Sequence, residues 1–500
     1  MSDRIKDELQ RGALVNALGV LGKIAGPSFL ILVTRFYGAD TFGIYITASA
    51  LVEMAIAFLT AGFKDGALIF VSRHAEDDRS LLYQALSNAL AWSLLFAGLL
   101  IVVALAAAPW LVPRFYAYGD RLLPVLQWMT FVLPLMAFDR IVLAATQGLK
   151  IMKYEAFVNG GLRPVLLLIS ALGFWFFLPN ETGLTLAYVT TQCLVAGASL
   201  LIYQRELEWA PLVDAFRNFK YNREMVAFAI PQNLNATFDR FVTNVDIVML
   251  GFFGISASTT GLYGAGSLIV RELRQIKLVF SSAFAPHIVR LYEKQDRARL
   301  AHMVAVTSRW ITTLAVPALL GVAVLHADLL RIVSPEYAGA EGLFMLFLLP
   351  VPYLQCAFGL AGNVVVMTGH SRLNLFNSMT TASTNVALNT VLIPVFGPVG
   401  AAAASGLSAL LKAGLELGEM RFLLNVGIRW REQYVPHVAG LIVAVALGLA
   451  LNATPVFETH LGYRIGLAVA AMLGFGAVLT LLQGRLPRLP APLQALLKKS

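Results

Sequence analysis

Charge is what this chain most conspicuously lacks. Of its 500 residues only 13% are Asp, Glu, Lys or Arg, while 58% are hydrophobic, and the mean hydropathy is +0.71. Soluble domains carry about 25% charged residues, so this scarcity excludes a soluble globular protein and implies a polytopic membrane protein. Cysteine is scarce as well. Cys193 and Cys356 both sit in apolar runs, so no disulfide framework is implied and the redox compartment stays open. The longest polar interruption runs only from Gln204 to Arg223, too short for a soluble catalytic domain. The N-terminus, Met-Ser-Asp-Arg-Ile-Lys-Asp-Glu, leads into an apolar span without a small-residue cleavage site, so no removable signal peptide is expected. The seven histidines show no metal-ligand spacing, and no metal or cofactor is expected. Gly19 to Lys23 faintly follows a phosphate-binding loop, but Ala17 replaces the first glycine and Ile24 the Ser/Thr, so no ATPase follows. Asn180-Glu-Thr, Asn235-Ala-Thr and Asn452-Ala-Thr fit a glycosylation pattern, which three-residue strings do by chance.

What is present is apolar runs of membrane-crossing length, about 20 residues. Fourteen are read near 14–35, 42–63, 81–108, 122–147, 157–178, 183–203, 225–253, 261–286, 303–325, 341–368, 373–394, 399–423, 435–453 and 464–483. With both termini in the cytoplasm, only five of the 38 Lys and Arg fall on exported loops: Arg35, Arg114, Arg121, Arg331 and Arg464. That asymmetry is the positive-inside rule. The net charge of +9 therefore reflects topology, and no nucleic-acid partner is expected. The basic tail at 485–500 follows the same bias.

An internal repeat divides the chain. Phe36-Tyr-Gly38 to Gly43-Ile-Tyr45 resembles Phe252-Phe-Gly254 to Gly261-Leu-Tyr263, and Phe131-Val-Leu-Pro134 resembles Phe347-Leu-Leu-Pro350. Each repeat holds six spans, an even number, so both halves share one orientation about a pseudo-two-fold along the membrane normal. The expected organisation is an N-terminal lobe at 1–204, a cytoplasmic linker at 205–223 and a C-terminal lobe at 224–424. Helices 13 and 14 follow at 425–484, then the tail.

Inside these spans stand charges that lipid does not tolerate. A central Arg or Lys costs about 2.5–3.5 kcal/mol on insertion scales, so such residues face a wet cavity or a partner. On the eighth span Arg271, Arg274 and Lys277 fall within roughly a 120° arc of a continuous helix, with Ser281 on the same side. The repeat register sets Glu53 against Arg271 and Lys23 against Asp239, with Arg240 next. Lys23, Glu53, Arg240 and Arg271 are therefore expected in one cavity. Lys23 lies among Gly19, Gly22, Gly26 and Pro27, a cluster that favours close packing and a bend. Glu53, Asp139 and Asp246 have two readings: proton or sodium coupling sites, or interhelical partners of the cavity arginines. Lys412 and Glu416, four apart, read as a local salt bridge.

Thr34-Arg35-Phe-Tyr-Gly38 through Tyr45, Pro231 to Asp246 with Ile-Val-Met-Leu-Gly251, Gly261-Leu-Tyr263, and Asn389 through Pro394, Gly397 and Gly400 together resemble the polysaccharide transporters. These are the oligosaccharide-lipid flippases of the multidrug/oligosaccharidyl-lipid/polysaccharide exporter superfamily. The resemblance covers nearly the whole chain, through short degenerate motifs. It implies two six-helix lobes in a V, two extra helices and alternating access in the bacterial inner membrane. The implied partner is an undecaprenyl-pyrophosphate-linked oligosaccharide, flipped to the exported leaflet for a polysaccharide polymerase machinery. The family's pyrophosphate-facing cations match Lys23, Arg240 and Arg271 here, with a lysine in place of the first-helix arginine.

Two other functions compete. A cation-coupled multidrug exporter needs an acidic, apolar pocket. This interior adds Arg140, Arg163, Arg309 and Lys412 to the cations above, against Glu53, Asp139, Asp239, Asp246, Glu272 and Glu416, and is net basic. A membrane polymerase or glycosyltransferase needs a sizeable exported loop with acid/base residues. The loops around Pro109–Asp120 and His326–Ala340 are short and carry no paired carboxylates, so an enzyme is not expected.

Overall fold

A computed structural model describes residues 21–75, 78–339, 342–453 and 461–483. The polar lead with Gly19, Asn452's side chain and the basic tail lie outside the described residues. Among those described, every regular element is helical. The first repeat holds α1 (21–37), α2 (Ala39–His74), α3 (Arg79–Phe115), α4 (Gly119–Thr130), α5 (Leu133–Gly148), α6 (Lys153–Phe157), α7 (Arg163–Trp175) and α8 (Glu181–Glu206). The linker forms α9 (Trp209–Arg217). Then come α10 (Arg223–Phe252), α11 (Ala257–Glu272), α12 (Gln275–Glu293), α13 (Arg297–Val333), α14 (Leu343–Leu348), α15 (Pro350–Phe358), α16 (Leu360–Met367), α17 (Ser371–Gly418), α18 (Trp430–Ala453) and α19 (Leu461–Gln483).

Eight described helices are long and apolar enough to cross a membrane, and up to ten when α4–α5 and α14–α16, bent by 41° and 53°, each count as one span. Among the described residues each of the fourteen predicted spans falls mainly on helix, broken in the fourth, eighth and tenth, and the smaller count has physical reasons. α17 joins two spans across Gly397, whose φ is 53°. α1 is described only from residue 21. α10 and α12, which carry charged residues such as Arg240 and Lys277, are too polar to qualify, and α11, at 16 residues, is too short.

Turns follow local chemistry. The loop predicted at 36–43 shrinks to Gly38 alone, and its repeat mate Gly254 does the same work; their φ values are 86° and 79°, a region that favours glycine. Pro134 and Pro350 of the second repeat match each stand at the start of a new helical segment, α5 and α15, as expected of a residue that clashes with the preceding turn. Asp78, Asn180 and Asn222 cap α3, α8 and α10 by accepting N–H bonds of the first turn, each worth about 1 kcal/mol. Asn180 is thereby explained as a cap. Between the second and third expected spans, α2 continues well past residue 63, to His74. Its 36 residues reach about 54 Å, longer than the hydrocarbon requires.

Two compact units result: residues 1–264 with 333–337, and residues 265–332 with 338–500. Division by contact is not division by repeat, since α10 opens the second repeat yet packs in the first unit. Small residues permit this. A Cβ on Gly62 of α2 would lie 2.0 Å from the Ala229 carbonyl oxygen of α10, and one on Gly43 would lie 1.7 Å from that of Ala257. The Asn233 side chain also accepts the Gly62 N–H at 2.5 Å. The linker is tied down within the same unit. Buried Asn88 bonds the Lys220 carbonyl and the Asn222 N–H, and the Tyr203 ring sits 4.4 Å from Trp209. In the second unit the extra helices α18 and α19 share a core with α13, in which Val316, Leu320 and Val324 meet Ala439, Val443, Ala471 and Phe475. Asp328 of α13 pairs with Arg464 of α19 at 3.0 Å.

Candidate functional site

In the first unit Lys23 is exposed on α1, one residue after a close backbone approach. A Cβ on Gly22 would lie 1.8 Å from the Gly160 carbonyl oxygen and 2.8 Å from the Gly161 Cα. Gly160 and Gly161 belong to a π-helical turn, Val158–Leu162, that joins α6 to α7. Such turns are often found at functional sites. The glycine cluster around Lys23 therefore does what the sequence suggests at Gly22, whereas Gly26 faces open space. Gly22→Val is expected to push α1 off this seat and shift the accessibility of a cysteine placed at position 23, read as a change of at least several-fold in maleimide labelling in membranes.

Arg240 is exposed on α10 and Asp239 half-buried. Asp246, one turn and a half further on, is buried and accepts the Tyr263 hydroxyl at 2.8 Å. Glu53 on α2 is met by Arg140 of α5 at 3.5 Å, with both side chains part-exposed. Asp139, only 1% exposed, is bound by Arg163 of α7. Arg163 also donates to the Gln192 side chain of α8 at 2.7 Å and to Asn159 at 3.1 Å. That clamp joins three membrane-spanning elements, and it begins at the residue directly after the π turn. Of the two readings open for the acids, Glu53 and Asp139 are both engaged by arginines.

In the second unit the eighth span is not the continuous helix that its periodicity suggests. It breaks between Glu272 and Gln275. The N–H groups of Leu273, Arg274, Ile276 and Lys277 bond the carbonyls three residues back, at 3.1–3.4 Å. A helix tightened to three residues per turn eclipses positions i and i+3. Arg271, Arg274 and Lys277 therefore share one edge of the break, closer in register than the predicted arc, and all three are half-buried. The polar side chains and the tightened backbone coincide at one depth.

The surroundings of Lys277 are not legible in the sequence. Its Nζ lies where a Cβ on Gly359 would be 2.6 Å away, and the Glu416 carboxylate lies 2.5–2.7 Å from a Cβ on Gly362. The bend of the tenth span thus offers a glycine-lined niche, in which Glu416, Lys412 and Arg274 act electrostatically on Lys277. By spacing alone Glu416 reads as a local partner of Lys412; the Gly359–Gly362 pair is the available hint that something bulky and charged lodges there. Glu272, the nearest acid in sequence, is exposed.

Known proteins fit this architecture. The profile described as "Polysaccharide biosynthesis protein" matches residues 9–292. No curated protein matches the chain. Among solved structures, the lipid II flippase MurJ in an inward closed conformation aligns with a TM-score of 0.69 at 11% identity, covering 95% of this chain and 100% of that one. An inward-facing MATE-family multidrug resistance transporter of the MOP superfamily aligns at 0.65 and 13% identity, covering 81% and 94%. The MATE multidrug transporter DinF-BH aligns at 0.55 and 19% identity, covering 83% and 97%. Identities so low speak to fold alone, and the fold is the all-helical one of MOP-superfamily exporters. The profile, in contrast, spans more than half of the sequence, and on that ground the chain belongs to the polysaccharide biosynthesis protein family.

Proposed function

We propose that this protein is a flippase that moves an undecaprenyl-pyrophosphate-linked oligosaccharide from the cytoplasmic to the exported leaflet of the bacterial inner membrane, by alternating access, for polysaccharide assembly. It acts as a transporter, not an enzyme. The observation that carries the reading is the break in the eighth span with Arg271, Arg274 and Lys277 along one edge. Charges at membrane depth are kept for a polar ligand or pathway, and arginine forks match phosphate oxygens. Lys23 and Arg240, exposed in the first unit, are that unit's own candidates for attracting phosphate. Family membership supports a role in polysaccharide assembly, with delivery to polymerase machinery and with lipid as the surrounding partner.

Coupling to protons or sodium is proposed for Asp246, which is buried and accepts the Tyr263 hydroxyl, with Glu53 and Asp139 as the other candidates. The MATE-like fold raises a drug exporter as the second reading, and the surplus of interior cations disfavours it for cationic drugs. Proteoliposomes decide between them. Purified protein is expected to translocate a lipid-linked oligosaccharide without moving a cationic dye. Dye efflux with no lipid translocation reverses the assignment.

A further inference from the structure

Two acid–arginine pairs occupy neighbouring positions on α5, and they are built differently. Asp139 is sealed at 1% exposure and its partner Arg163 also donates to Gln192 and Asn159. Arg140, the next residue, meets Glu53 through one Nη2–Oε2 contact at 3.5 Å, with 23% and 36% of the two side chains exposed. Glu53 lies fourteen residues into α2, about 21 Å along it, at a depth where accessible charges face water and not lipid. Tyr45 and Tyr188, both buried with ring centroids 6.2 Å apart, back the pair closely enough to feel the Glu53 charge.

Charge selects the ligand class. A lone arginine attracts anions and a lone glutamate cations, but this pair is neutral and favours neither. A hydroxyl both donates and accepts, so vicinal hydroxyls satisfy carboxylate and guanidinium together. A contact as long as 3.5 Å leaves most lone pairs and N–H groups of the two side chains available to them. We infer that Glu53 and Arg140 form a glycan subsite that reads hydroxyls of the carried saccharide. This rests on the flippase reading and assigns sugar recognition to residues other than the pyrophosphate-attracting cations. A structural ion pair and a coupling site are the competing roles.

The test compares two probes on full-length protein in nanodiscs: undecaprenyl pyrophosphate, and the same carrier bearing an N-acetylglucosamine disaccharide. Wild type is expected to bind the glycosylated probe about tenfold more tightly, the gain from one or two net hydrogen bonds. Glu53→Gln and Arg140→Gln are expected to lose that advantage while binding the bare carrier within about twofold of wild type. Arg271→Gln weakens both probes. Retention of the advantage in both single variants overturns the subsite, and so does equal weakening of both probes by Glu53→Gln. Should a single variant unfold, the charge-swapped double variant, Glu53→Arg with Arg140→Glu, keeps the pair and yields the same two affinities. Failure of the flippase reading looks different: no saturable binding of the bare carrier by wild type, or none lost in Arg271→Gln.

Discussion

Cells relying on Arg271→Gln will export at least tenfold less surface polysaccharide than wild type, with the protein still present in the membrane at a normal level. A hydrogen bond to a charged group contributes about 1.5–3 kcal/mol, and each 1.4 kcal/mol is tenfold in an equilibrium constant, so one lost arginine–phosphate contact costs ten- to roughly hundredfold. Arg271 stands on the tightened turn with Arg274 and Lys277, where no hydrated lysine can match a planar fork bidentately. Arg271→Lys should therefore fall between wild type and the glutamine variant. Arg240→Gln is expected to act in the same direction. Quantitative sugar analysis beside an immunoblot of the membrane fraction reads both quantities. Full complementation by alanine variants at Arg240 and Arg271 together would leave the transport mechanism without its anion-attracting arginines.

The second large effect concerns stability. Arg163→Met alone should lower the stability of the detergent-purified protein by about 3–5 kcal/mol, the loss typical when one member of a buried ion pair is removed. The cause is Asp139. At 1% exposure its carboxylate cannot regain water when the guanidinium is gone. Asp139→Leu combined with Arg163→Met removes both charges and should recover most of the loss, since a well-packed apolar replacement of a buried pair is often neutral or better. A four-way mutant cycle by thermal unfolding measures the coupling. Arg140→Met, whose partner Glu53 remains open to water, should cost far less. Equal losses at Arg140 and Arg163 would show that exposure does not distinguish the two pairs.

Several features are legible because they are written in local chemistry. Gly38 and Gly254 are paired by the sequence repeat, and both adopt positive φ because each must turn the chain between spans. Pro134 and Pro350, paired the same way, each open a helical segment. Gly22 announces close packing, and the Gly160 backbone lies against it. Other features depend on residues far apart in the chain. Nothing near Asp139 predicts Arg163 and Gln192 as its partners, and nothing near Lys277 predicts Glu416, more than a hundred positions away. The turn at Leu273–Arg274 is hidden for another reason: no proline or glycine marks it, and helical periodicity reads the stretch as unbroken. α10 is hidden likewise, since its glycine-mediated packing on α2 involves a residue pair, Gly62 and Ala229, with no signal at either position alone.

By itself the sequence determined that the chain is helical and membrane-embedded, where it turns, that its halves repeat, and that cations stand at depths where lipid would reject them. These follow from composition and short-range sterics, which each segment carries independently. Only the tertiary structure decided which acids are neutralised, that three cations line up on a tightened turn, and which ion pair stays open to water. Those outcomes depend on how closely distant backbones approach, and that distance is set by which pairs of small residues meet once the helices are packed.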